Sequence, residues 1–305
     1  MKITIKQEQR QTRLGLPSVS NLRDIGAKTT LKIVLLTVIC SLLTALSSCS
    51  KEELVDPPKV ILNIDWSNRT EGIAIPADYK VVINDQIITY QNISNMLPSL
   101  NAGIYSAYIY NVADKIAVNG TTAAVSTSGQ VVNSNPGWLF YSDLDIDFEN
   151  DKEKTVTAVM QQQVRRLDIE LTVTEGDIDN IKSITASLSG VANTIDMKTN
   201  THSGTGLKIA PVFTKSGNKL IASVRLIGLT AETQNLRIDI IYTVGAPQQL
   251  ITDMSSYLTG FSVNKHIPAT LTGSISITSG IGIDYNSTIS GWKSQGQIGS
   301  DANEQ

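Results

Sequence analysis

After residue 59, apolar and polar residues alternate along most of the chain, and a two-residue period predicts strands. Leu62, Ile64 and Trp66 share one face of "VILNIDW". Tyr79, Val81 and Ile83 alternate with Lys80, Val82 and Asn84. In "GIYSAYIY", Tyr108 and Tyr110 fall on one face and Tyr105 on the other. The cleanest case is Leu167, Ile169, Leu171 and Val173, set against Asp168, Glu170, Thr172 and Thr174. The same pattern recurs in "SITASLSG", in "NLRIDIIYT" and in "ATLTGSISIT", where Leu271 and Ile275 recur at strand spacing. No window of helix length carries a 3.6-residue period; only short turns such as "QNISNMLPSL" and "DMSSYLTGF" have helical character. Many short strands, each with one apolar face, predict an all-β chain of antiparallel β-sandwiches.

The charged turn "ENDKEK" and the following "TVTAVMQQQVRR" mark a division. They predict two tandem sandwich domains, residues 59–160 and 161–295, followed by a polar tail, 296–305. No repeat of fixed period is visible.

The start of the chain has a different character. Residues 33–46, "IVLLTVICSLLTAL", hold no charge. Fourteen residues are short of the roughly 20 that span a bilayer. Lys28 and Lys32 precede the run and small residues follow it, the layout of a secretory signal occupying residues 1–48. Leu46-Ser47-Ser48-Cys49 resembles the cleavage motif of bacterial lipoproteins, an aliphatic residue and two small ones before a cysteine. Cys40 does not fit, because Ile39 is too bulky beside the cut. The resemblance implies cleavage between Ser48 and Cys49 and lipid on Cys49, with enough acyl chains for stable anchoring. An ordinary signal peptide with an incidental cysteine is the alternative. Lys51, Glu52 and Glu53 resemble the export signal that sends lipoproteins of Bacteroidota to the outer face of the outer membrane; a solvated tether is the plainer account. Residues 49–58 are then a lipidated tether, stiffened by Pro57 and Pro58.

Charge is unevenly divided. Residues 1–48 carry seven Lys/Arg and two Asp/Glu, which leaves 18 basic and 26 acidic residues in the remainder. A body this acidic excludes a general nucleic-acid binder, since phosphate contacts need clustered Lys/Arg. Cys40 and Cys49 are the only cysteines, so no disulfide framework exists in the body of the chain.

Candidate chemistry is thin. Asp143, Asp145, Asp147 and Glu149 share one face of "DLDIDFEND" and invite a calcium reading. An EF-hand loop counted from Asp143 needs Gly and Glu where Phe148 and Lys154 stand, so an acidic solvent face is the better account. His202 lies in the loop-like "THSGTG" and His266 in "NKHIPA", too few and too separated for a transition-metal site. No Gly-x-Ser-x-Gly elbow, phosphate-binding loop or dinucleotide fingerprint occurs. No enzyme, metal or cofactor is expected. Trp66, Trp138 and Trp292 are read as core anchors at strand ends rather than sugar-stacking platforms.

With "NIDWS" closing the first strand, "VRRLDIELTV" and "IKSITASLSGVA" opening the second half, and "STISGWK" near the end, the chain resembles the fimbrillin-like proteins of Bacteroidota, in particular their anchor and accessory lipoproteins. The resemblance implies transthyretin-like sandwiches and a place in a fimbrium on the cell surface. It implies partners among other fimbrial subunits, joined by strand exchange. In such pili an arginine-specific protease removes the first strand of the polymerising subunit, and a neighbour's strand fills the groove. An anchor keeps both its strand and its lipid. Arg69, in "SNRTEG", is the candidate cut; an ordinary turn arginine is the alternative. A surface glycan-binding lipoprotein of a polysaccharide-uptake system is the second function considered, and a host or glycan ligand stays open.

Overall fold

Strands form where the alternation places them. The computed structural model describes residues 59–147, 153–277 and 289–295. Within these, the chain is built of strands, with one short 3-10 turn at Ile178–Asn180 and no α-helix. Val60, Leu62 and Ile64 point inward from strand Lys59–Asp65 and are buried, as are Leu167, Ile169, Leu171 and Val173 of Arg165–Glu175.

In the first half, Lys59–Asp65 lies in the middle of a three-stranded sheet, between Glu153–Val159 and Ser94–Met96. A five-stranded sheet runs Gln161–Gln162, Phe140–Asp147, Ile104–Tyr110, Tyr79–Ile83 and Gln86–Tyr90. The two sheets share one apolar cluster, with Leu62, Val81, Ile109 and Phe140 essentially inaccessible. The opposite face of the five-stranded sheet, including Val82, Tyr110 and Tyr141, joins a second and larger cluster.

That larger cluster draws mainly on strands after residue 164. One sheet there runs Thr214–Ser216, Lys219–Leu226, Arg165–Glu175, Ala269–Ser276 and Ser290–Gln295. A facing sheet contains Gln248–Asp253, Asn235–Tyr242, Ile181–Ser189 and Lys208–Ile209. Residues 116–132 belong to the first half by sequence, yet their strands pair with later ones. Thr122–Val125 pairs with Thr194–Asp196, and Val131 meets Lys208.

The all-β sandwich architecture is as the alternation predicts, with two differences. The opening strand of each half has a parallel partner drawn from the end of that half: Lys59–Asp65 beside Glu153–Val159, and Arg165–Glu175 beside Ala269–Ser276. On its other side each has an antiparallel partner, Ser94–Met96 and Lys219–Leu226. This is a repeat of topology without a repeat of period. Alternation reports which face is buried but not the direction of a neighbour, and parallel pairing needs only a long crossover. Second, the two segments with turn or loop character are partly strand. "QNISNMLPSL" contains Ser94–Met96, which pairs with residues 61–63, and "THSGTG" begins with strand Thr201–Ser203. Their patterns are too short to compete with backbone bonds supplied by a neighbour. Residues 254–261 do form a turn of helical type, Leu258 N donating to Met254 O at 3.0 Å.

Candidate functional site

The turn that follows the opening strand is tied to three distant segments. Asp65 Oδ1 accepts from Ser67 N at 2.8 Å and starts the turn. Trp66 ends the strand's inward face at 5% exposure, edge-on to Phe140 with ring centres 5.4 Å apart. A core role for this tryptophan is therefore correct. Trp138 and Trp292 are half-buried against the larger cluster, and Arg225 lies over the Trp138 ring at 4.9 Å.

Arg69 is folded back on its own turn. Its Nε donates to Ile73 O and its Nη1 to Trp66 O, each at 3.0 Å. The peptide bond after it is held as firmly. Thr70 is buried; its N–H donates to Gln162 Oε1 at 2.8 Å, and its hydroxyl lies 2.7 Å from His266 O. Gln162 completes the lock, donating through Nε2 to Val164 O at 2.7 Å and Lys265 O at 2.9 Å. An arginine-specific protease needs this segment extended, with the guanidinium free to enter its pocket. Here the bond is accessible only by local opening. We expect trypsin to cut slowly after Arg69 under native conditions, and Gln162→Ala to speed that cut about 5- to 30-fold, the equivalent of 1–2 kcal/mol of lost hydrogen bonding. Mass spectrometry of timed digests, with melting curves to separate local from global opening, checks this.

The segment that receives Thr70, residues 260–267, is fixed from beneath by Arg165. This side chain is fully buried. It donates through Nε to Ile267 O at 2.7 Å and through Nη1 to Phe261 O at 2.8 Å, and its guanidinium lies over the Phe261 ring at 5.2 Å. Burial lowers it to about 10, still charged at neutral pH.

Beside this lock is a cavity of about 310 Å³, lined among others by Asn68, Gln161, Asn200, Ser262, Lys265 and His266. Lys265 is 7% exposed, and its ammonium donates to Asn200 Oδ1 at 2.8 Å and Gln163 Oε1 at 3.3 Å. Burial lowers it to about 7.

The two histidines do not come together as a site. His202 is lowered to about 4 by burial, with the Lys265 charge adding to the effect. The neutral ring donates from Nε2 to Ile227 O at 3.1 Å. It packs so tightly on Gly228 that a Cβ there would lie 1.9 Å from its Cδ2, which is why that position has no side chain. His266 lines the cavity. Asp143, Asp145 and Asp147 are exposed on Phe140–Asp147 with Ile146 buried opposite, and among the described residues no three potential ligand side chains gather as a metal set. Glu149, Ser48, Cys49, Lys51, Glu52 and Glu53 lie outside the described residues. Gln162 and Arg165 lie within stretches the sequence singles out, but no motif gives them or Lys265 a site role; only a charge at an apolar-pattern position, as at Arg165 two residues before Leu167, hints at one.

The fold has solved counterparts. The fimbrial anchor protein Mfa2 from Porphyromonas gingivalis aligns over 79% of this chain and 98% of its own, at 12% identity and a TM-score of 0.53. A candidate adhesin from Bacteroides ovatus aligns over 78% and 97%, at 16% identity and 0.54. A candidate polysaccharide-binding protein from Bacteroides thetaiotaomicron aligns over 72% and 92%, at 9% identity and 0.53. At these identities the likeness shows the fold alone. No curated protein matches the chain by sequence. The family model of the fimbrillin-A associated anchor proteins matches residues 86–297. That stretch is well over half of the sequence, and the chain belongs to the family of the fimbrillin-A associated anchor proteins Mfa1 and Mfa2.

Proposed function

We propose that the protein is a lipid-tethered fimbrial anchor or accessory subunit at the outer face of the outer membrane, one that keeps its first strand. Family membership supports the fimbrial role. The observation that carries the choice of a retained strand is the lock on Arg69 and Thr70: the bond whose cleavage would release a polymerising subunit is closed by Gln162 and the 260–267 segment. Strand Lys59–Asp65 is also paired on both sides, so its groove is filled from within.

In this reading Ser48–Cys49 is the processing point, Cys49 carries the lipid, and Lys51-Glu52-Glu53 directs export. Other subunits join by strand addition, where main-chain bonds supply affinity and alternate side chains supply register. Gln86–Tyr90 is an outer strand of its sheet, with Ile87 61% exposed, and offers one such edge.

Substituting Cys49→Ala in the producing cell is expected to leave fimbriae assembled but shed into the medium, counted by electron microscopy of cells and supernatant. Unchanged retention on cells would remove the anchor role. A chain recovered from fimbriae without residues 49–69 would instead make it a polymerising subunit.

A further inference from the structure

The cavity at Lys265 has a chemical imbalance. An ammonium is held at its wall by two neutral amide oxygens, Asn200 Oδ1 and Gln163 Oε1. Both of those residues line the same cavity. Among the described residues, none of its lining side chains is Asp or Glu. Burying a cation without an opposite charge disfavours the charged form, and an arriving anion offsets that penalty in a site already shielded from water. The surroundings add a second constraint. Asn68, Gln161, Ser262 and Asn264 present amides and a hydroxyl rather than apolar surface, the kind of lining that matches a ligand rich in hydroxyl groups. A volume of about 310 Å³ has room for a single sugar ring with its substituents. A neighbouring cavity of about 430 Å³ shares Gln161, Gln163 and Met197 and is bordered by Asp143 as well as Lys198. A carboxylate therefore belongs at the Lys265 end, and the space beyond allows a longer saccharide to continue.

We propose that this cavity binds a carboxylate-bearing sugar, with the carboxylate on Lys265 and the ring hydroxyls on the surrounding amides. The cavity shares Gln162, Lys265 and His266 with the lock on Thr70, but sugar binding is read by calorimetry and the anchor role by retention on cells through Cys49, so either can fail without the other. Acidic sugars would bind in the protonated state of the lysine, so affinity falls as pH rises from 6 to 9. The other titratable groups facing Lys265 are His202, which is neutral over this range and hydrogen-bonded to Ile227 O, and His266 in the cavity wall.

Calorimetric titration of the mature chain with glucuronate, galacturonate and N-acetylneuraminate tests this, with glucose and acetate as controls. At pH 6 at least one acidic sugar is expected to bind about tenfold or more tighter than glucose, as one good charged hydrogen bond implies, and tighter than acetate through its hydroxyl contacts. Lys265→Met, checked by melting for an intact fold, is expected to abolish the preference over glucose; Asn68→Ala is expected to weaken the sugar without changing acetate. Binding unchanged in Lys265→Met, or no preference for any acidic sugar over glucose, overturns the proposal. Acetate binding as tightly as the sugars also overturns it, leaving an anion pocket with no saccharide recognition.

Discussion

Replacing Leu62 with aspartate is expected to leave the protein unfolded at 25 °C. Leu62 is wholly buried at the centre of Lys59–Asp65, with Val156 beside it on the parallel partner and Asn95 on the antiparallel one. An unpaired carboxylate there has no route to water. Its burial penalty, even after relaxation, is several kcal/mol and comparable to the entire 5–15 kcal/mol that keeps a domain folded. Leu62→Ala separates packing from charge: it should cost about 2–5 kcal/mol and lower the melting temperature by roughly 5–20 °C. Lys59→Ala, at the exposed end of the same strand, should melt like the parent. If Leu62→Asp melts normally, the strand does not occupy the groove in solution and the protein does not hold its first strand as an anchor must.

The second large effect has the opposite sign. Lys265→Met is expected to raise stability by about 1–4 kcal/mol at pH 7, because an apolar chain of similar length removes a buried charge. The pH dependence identifies the cause. Folding lowers Lys265 from its ordinary 10.5 to about 7. Between those values the unfolded chain binds more protons than the folded one, so parental stability rises with pH across that window and the lysine's penalty is fully present below it. His202, lowered from 6.5 to about 4, acts with the same sign but only below about 6.5. Denaturant midpoints at pH 7 and 9.5 therefore isolate Lys265: the parent should gain stability at the higher pH, and Lys265→Met should lose most of that gain. Equal slopes in the two proteins would mean that the ammonium is hydrated in solution. A residue kept at such a cost to the fold is a candidate for function.

Sheet content and core faces were legible because alternation is a local property. Leu62, Ile169, Ile238 and Leu271 could be placed inward without knowing their neighbours. Topology was not legible. The parallel register of residues 59–65 with 153–159 joins segments separated by most of a lobe, and nothing in either segment names the other. The same limit hid the turn lock. Arg69 stood out as the first arginine after the opening strand, but its closure depends on Gln162 and on a carbonyl at His266, and glutamines carry no periodic signal. Lys265 sits between Asn264 and His266 in what reads as an ordinary polar loop; its burial comes from Gln163 and Asn200 closing over it.

The parallel pairing of the opening strand also sets how the molecule bears load. In the proposed anchor role, a pull along the strand axis from before residue 59, opposed by a pull on the body, would shear the ladder rather than peel it. All seven registered pairs from Lys59 and Glu153 to Asp65 and Val159 then resist together, instead of yielding one after another from an end. The bonds to Ser94–Met96 and the Met160 N–H on Asp65 O add to the same clamp. In the proposed anchor, this geometry resists force best in the one direction in which a surface fibre would be dragged.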